Sequence, residues 1–151
     1  MSSQNVEIVT RHFKTIVRML STYWNNPRSF SAAAESGELD PQEREVLDCL
    51  HPDVRWTNVI GEIHDGKLGC ARGVDGLLRA SQDYAVRVEG VTDLGDDHVL
   101  VVLRSAMTGQ SSGLAGAVSL FTLVTLRDGL IAAMAEYLSR DEALKAVGLQ
   151  E

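Results

Sequence analysis

The apolar period of this chain changes near Tyr84, and that change restricts it to few folds. Before Tyr84, apolar residues recur every three or four positions; after it they alternate. Val6, Val9, Phe13, Ile16, Val17, Leu20 and Trp24 form one helical stripe, with Glu7, Arg11, Lys14 and Arg18 on the other face. Ser2 or Ser3 can cap its start. Beyond the change, Val86 to Thr92 alternates, and His98 to Thr108 and Leu114 to Leu126 read as long strands. Gly95-Asp96-Asp97 and Gln110-Ser111-Ser112-Gly113 supply the turns, and Arg127-Asp128-Gly129 turns into a last strand, Leu130 to Leu138. Helices followed by a meander predict an α+β domain, with helices segregated to one face of an antiparallel sheet.

The middle of the chain is less regular. Asp40-Pro41-Gln42-Glu43 is a helix start with a capping box and proline in the first turn; that helix runs to about Leu50 and stops before Pro52. Val54 to Ile60 reads as a short strand. Gly61 to Gly73 is a glycine-rich connection with room for a second short strand, and Val74 to Tyr84 reads as a helix with Leu77 and Leu78 inward. Asn25 to Leu39 has several breakers and weak periodicity, so it is expected to be a loop or a poorly anchored helical excursion. Ser139-x-x-Glu142 opens a short final helix that Gly148 ends.

A length of 151 residues suits one domain, residues 1–151. The net charge of −7 argues against a nucleic-acid partner, because phosphate binding rests on Lys and Arg. No apolar run approaches a membrane span, and Met1 to Thr10 has no basic stretch followed by an apolar one, so a cytoplasmic protein is expected. Cys49 and Cys70 make no CxxC and are expected as reduced thiols. His12, His51, His64 and His98 show no HxH or HxxxH spacing, so no metal is expected. No Gly-x-Gly-x-x-Gly or Walker pattern appears, and no cofactor is expected.

Several short motifs carry a resemblance. They are the opening helix, His51-Pro52-Asp53-Val54-Arg55-Trp56, Arg72-Gly73-Val74-Asp75-Gly76, Arg127-Asp128-Gly129-Leu130-Ile131, and Glu136 through Leu144. In this order the chain resembles the nuclear-transport-factor-two-like superfamily, and within it the SnoaL-like polyketide cyclases and ketosteroid-isomerase-like proteins. Residues 25–39 then look like an insertion. The resemblance implies a cone (the cystatin-like, SnoaL-like arrangement), in which a curved sheet wraps around helices. It also implies a pocket for a small hydrophobic molecule and a homodimer formed through the convex face of the sheet. The superfamily holds isomerases, cyclases, epoxide hydrolases and binding proteins, so fold does not give function.

Glu136 is the leading candidate for chemistry. It is the one charge between Leu130 and Leu138 and shares a face with Met134. A carboxylate on an apolar concave face is desolvated, which raises its pKa and suits it to act as a base. Arg104 interrupts an apolar strand and is expected to pair with Glu136. Limonene-epoxide-hydrolase relatives look similar here, with an Arg on this strand and an acid two places on, where this chain has Ala106. Trp56 and Asn58 point the same way on a strand; the relatives have Tyr and Asn there, and Asn58 can orient a water or a carbonyl. Trp24, Trp56, Asp83 and Met134 are expected to line the binding site. His12 falls at the edge of the first helix's stripe, where it can line the pocket, although packing is the simpler role.

Three readings follow from these residues: an enzyme in which Glu136 moves a proton on a small cyclic or polyketide- or terpenoid-like substrate, a protein that only binds a small hydrophobic ligand, and a scaffold whose cone is filled. An open cavity separates the last from the others.

Overall fold

A computed structural model describes residues 2–25, 29–80, 84–108 and 115–149. Helix α1 (Ser2–Asn25) is followed by α2 (Phe30–Ser36), α3 (Pro41–Asp48), β1 (Leu50–Thr57), β2 (Ile63–Asp65) and α4 (Gly66–Ala80). Strands β3 (Tyr84–Gly95), β4 (His98–Thr108), β5 (Ala115–Arg127) and β6 (Leu130–Tyr137) come next, and α5 (Arg140–Lys145) ends the fold. The sheet has six strands in the order β2-β1-β6-β5-β4-β3. This is the α+β architecture that the change of period implies, with a curved, unclosed sheet.

Tight turns set the register of the meander. Asp96 and Asp97 have φ of 52° and 63°, and Asp128 and Gly129 have 55° and 76°. Positive φ at both central residues matches the right-handed twist of the flanking strands. Bulges between Val88 and Gly90, Asp93 and Gly95, and Thr125 and Leu126 bend the sheet. α1 lies on the concave face against β3 and β4. Val9, Met19, Val54, Val99, Val101 and Ile131 fill the core beside it. Leu100 and Leu123, cross-strand partners, are buried on the opposite face, where α5 packs on β5 and β6.

Three sequence expectations need correction. First, the sheet is not wholly antiparallel, because β1 pairs with β6 in parallel. No hairpin joins these strands, so their connection does not impose an antiparallel direction. Second, α4 begins at Gly66 rather than Val74. Glycines at 66, 69, 73 and 76 are poor helix formers, and tertiary packing overrides that propensity. Third, residues 30–36 form an anchored helix. Ser29 caps it, Phe30 is 1% exposed, and buried Asp75 accepts hydrogen bonds from Phe30 N (2.8 Å), Ser31 N (3.1 Å) and the Ser29 hydroxyl (3.1 Å). The capping box of α3 forms as the sequence implies, with Glu43 N to Asp40 Oδ1 at 2.8 Å and Asp40 N to Glu43 Oε1 at 2.9 Å.

Candidate functional site

The concave face and the helices over it enclose a cavity of about 810 Å³. Phe13, Ile16 and Leu20 of α1, Leu103 and Leu120 of the sheet, and Met134 supply apolar wall. The filled-scaffold reading fails on this volume, which is ample for a small organic molecule. The mouth is rimmed by apolar side chains left in water. Ile60 is 77% exposed and Leu138 60% exposed, and both line the cavity.

Alternation along β6 places Met134 and Glu136 on the concave face, and both line the cavity together with Leu138 just beyond the strand. Glu136 Oε2 accepts from the Trp56 indole N–H at 3.1 Å, and Oε1 accepts from the backbone N–H of Val59 at 3.1 Å. Burial pushes the Glu136 carboxyl above its ordinary pKa, while the Trp56 and Val59 hydrogen bonds pull it back. Trp56 is 8% exposed and its ring rests near His64, with centroids 4.9 Å apart. Gly73 of α4 makes room for that indole. A Cβ there would collide with Trp56 Cζ3 and stand 2.9 Å from Cε3. This close approach explains a glycine inside the helix.

Two further polar groups lie on the cavity wall, and sequence singled out only His12 of the two. Thr122 of β5 is the cross-strand partner of Glu136, is 2% exposed, and has a hydroxyl with no hydrogen-bond partner among the described residues. A β-branched threonine in an alternating strand gives no signal of its role until register puts it beside Glu136. His12 also lines the cavity and is 2% exposed. Its Nδ1 lies 2.9 Å from Cys49 Sγ, and its Nε2 has no partner among the described residues. Burial lowers its pKa to about 4. Its place in the α1 stripe was the available signal, and packing was the simpler reading of it.

Other candidates fall elsewhere. Arg104 does not meet Glu136. It lies on the face of β4 opposite Leu103 and Ser105, and donates to the Ser119 hydroxyl at 2.9 Å. The sequence could not assign that face, since β4 is apolar on both. Asn58 lines the mouth, but its side chain is engaged by its own loop. Its Oδ1 accepts from Ile60 N (3.2 Å) and Glu62 N (2.9 Å), and its Nδ2 donates to Glu62 Oε1 (2.8 Å). It shapes a turn and does not present a free amide. The side chain of Trp24 and the whole of Asp83 lie outside the described residues. Among the described residues no three His, Cys, Asp or Glu side chains gather as a metal site, and no helix is long and apolar enough to cross a membrane.

A family model for the SnoaL-like domain matches residues 28–134. The chain belongs to the SnoaL-like family. Solved structures agree on the fold. A candidate SnoaL-like polyketide cyclase from Jannaschia sp. CCS1 aligns with a TM-score of 0.62 at 21% identity, over 91% of this chain and 86% of that one. A nuclear-transport-factor-two-like protein from Burkholderia xenovorans LB400 aligns at 0.57 and 18%, over 92% of each chain. A ketosteroid-isomerase-like protein from Catenulispora acidiphila, in complex with trimethylamine, aligns at 0.56 and 18%, over 89% and 92%. No functionally curated protein matches the sequence. The family includes isomerases and cyclases, and likeness at this identity carries the fold alone.

Proposed function

We propose that this SnoaL-like protein is a cofactor-independent enzyme that abstracts a proton beside the carbonyl of a small apolar, cyclic or polyketide- or terpenoid-like substrate, as in isomerisation or aldol cyclisation. The observation that carries this reading is the position of Glu136. It is a desolvated carboxylate held at the cavity mouth by two fixed N–H donors. Each oxygen accepts one hydrogen bond and keeps capacity for a proton. Thr122, beside it on β5, has a buried hydroxyl without a partner among the described residues, and a turn of that side chain toward the cavity would supply a donor for the substrate oxygen as negative charge develops. One base and one oxyanion donor suffice for enolisation. Epoxide hydrolysis by the limonene-epoxide-hydrolase scheme is less well supported, because Arg104 lies off the site, Asn58 is engaged and Ala106 replaces the second acid.

The test is hydrogen–deuterium exchange at the α-carbon of 2-tetralone in D₂O, followed by NMR with wild type and Glu136→Gln. Wild type is expected to exchange it above buffer rate, and the variant about a thousandfold more slowly. Saturable binding without exchange would replace this reading with the alternative, a protein that only binds a small hydrophobic ligand. A homodimer through the convex face is part of the same proposal, supported by half-buried Phe121 and Tyr137, cross-strand partners there. A monomer mass by light scattering would remove it. Free thiols at Cys49 and Cys70 support a reducing, cytoplasmic setting.

A further inference from the structure

The concave face of β4 carries a hydroxyl that base chemistry at Glu136 does not use. Alternation puts Val99, Val101, Leu103 and Ser105 on that face, and Leu103 and Ser105 line the cavity. The cross-strand neighbours of Ser105 are Val86 and Val118, which are apolar and line the cavity too. Serine is not among the residues that a pleated, half-buried surface favours, so its presence in this row needs a reason. Ser105 is 5% exposed, and its side chain has no hydrogen-bond partner among the described residues. Its oxygen is nevertheless open to approach. Among the described residues, the polar side-chain atoms both sealed off and left without a partner are His12 Nε2 and the Thr122 hydroxyl, and the Ser105 hydroxyl is not one of them. It keeps free surface, and the cavity is what that surface faces.

A hydroxyl rotates to donate or to accept, so its role needs no particular protonation state. Whatever fills this part of the cavity must give it a partner or leave it dry at a cost in affinity. An apolar ring surface leaves it dry, and an oxygen carried on that ring does not. Register places Ser105 across the cavity from Glu136. Ser105 pairs with Val118 and Glu136 pairs with Thr122, so the two lie two strands and four residues apart on one face. On a flat sheet that is roughly 16 Å between backbones, and the curl of the sheet and the inward reach of both side chains shorten it. A fused-ring molecule spans what is left.

We propose that Ser105 determines specificity by hydrogen-bonding a second oxygen, hydroxyl or keto, on the far ring of a fused-ring substrate. This deepens the enzyme reading and rests on it only for orientation. The reacting carbonyl lies at Glu136, and the second oxygen lies at Ser105. A ring ketone without that second oxygen is the poorer ligand.

The test compares 2-tetralone with its 6-hydroxy and 7-hydroxy derivatives by titration calorimetry at pH 7. Wild type is expected to bind one of the hydroxy compounds roughly tenfold more tightly than 2-tetralone. Ser105→Ala is expected to bind that compound no more tightly than 2-tetralone, and Glu136→Gln to keep the preference. Equal affinities in wild type, including no saturable binding of any of the three, would overturn the proposal. So would a preference that survives Ser105→Ala, or one lost in Glu136→Gln, which would place the hydroxyl beside the carboxylate. Ser105→Ala is expected to unfold at no lower temperature than wild type, because it removes a hydroxyl that no described protein group satisfies. A variant that does not fold would show that the protein itself holds Ser105, and would sink the idea. Failure of tetralone exchange bears on Glu136 alone and leaves this preference standing.

Discussion

At the mouth of the cavity Glu136 has each carboxylate oxygen met by an N–H, whereas along the wall buried His12 keeps one ring nitrogen without a partner among the described residues. Both side chains are desolvated, and burial moves their pKa values in opposite directions, up for the acid and down for the imidazole. The difference separates two uses of a buried polar group. A carboxylate held by fixed donors is positioned for reaction, and an imidazole kept neutral by burial packs as part of the wall.

The largest effect that can break this comparison is Glu136→Gln, with its thousandfold loss of exchange expected at the mouth. A stability measurement sharpens it. The Glu136 carboxyl holds its proton more tightly folded than unfolded, so ionisation costs the fold stability. As pH rises from about 4.5, the ordinary value for the unfolded chain, through the higher folded pKa, wild type is expected to lose stability relative to Glu136→Gln. Urea unfolding of both proteins across that window checks the sign, and a difference independent of pH refutes desolvation at this site.

His12 comes next, with the opposite sign. Its folded pKa of about 4 lies below the ordinary 6.5, so the unfolded chain binds the proton first as pH falls. Wild type is expected to lose roughly 2–3 kcal/mol between pH 7 and pH 4.5 from this group. His12→Phe should lack that share of the acid sensitivity. Parallel pH profiles for the two proteins would show that His12 is not buried as described.

Gly73→Ala probes the support behind the mouth. The added methyl meets the Trp56 ring, so destabilisation of about 1–3 kcal/mol is expected in thermal unfolding, with slower exchange as the indole shifts off Glu136. Arg104→Ala is the smallest and separates the two faces of the sheet. Tetralone exchange should stay within about twofold of wild type, since Arg104 donates to Ser119 away from the cavity. A loss comparable to that of Glu136→Gln would return Arg104 to the site.

Much of this was legible in the residues. The capping box at Asp40 and Glu43, the turns at Asp96-Asp97 and Asp128-Gly129, and the cap at Ser139 act within a few positions, so local chemistry specifies them. Glu136 stood out because a lone charge in an apolar strand needs a reason. The expected Arg104 partner failed because β4 is apolar on both faces, and a shift of one residue in strand parity moves a side chain from cavity to convex surface. The helix over Gly66 to Gly73 was missed for a related reason. Its glycines read as breakers alone and as contact points only beside Trp56 and His64.

By itself, then, the sequence determined the order of helices and strands, the turns, and an acidic group on the last strand, because period, caps and turn residues act over short distances. Tertiary structure alone decided that β1 joins β6 in parallel, that an indole and a loop N–H hold Glu136, that Thr122 stands beside it, and that His12 is buried beside Cys49. These depend on register between strands far apart in the chain and on which face each element buries, and no local pattern encodes either.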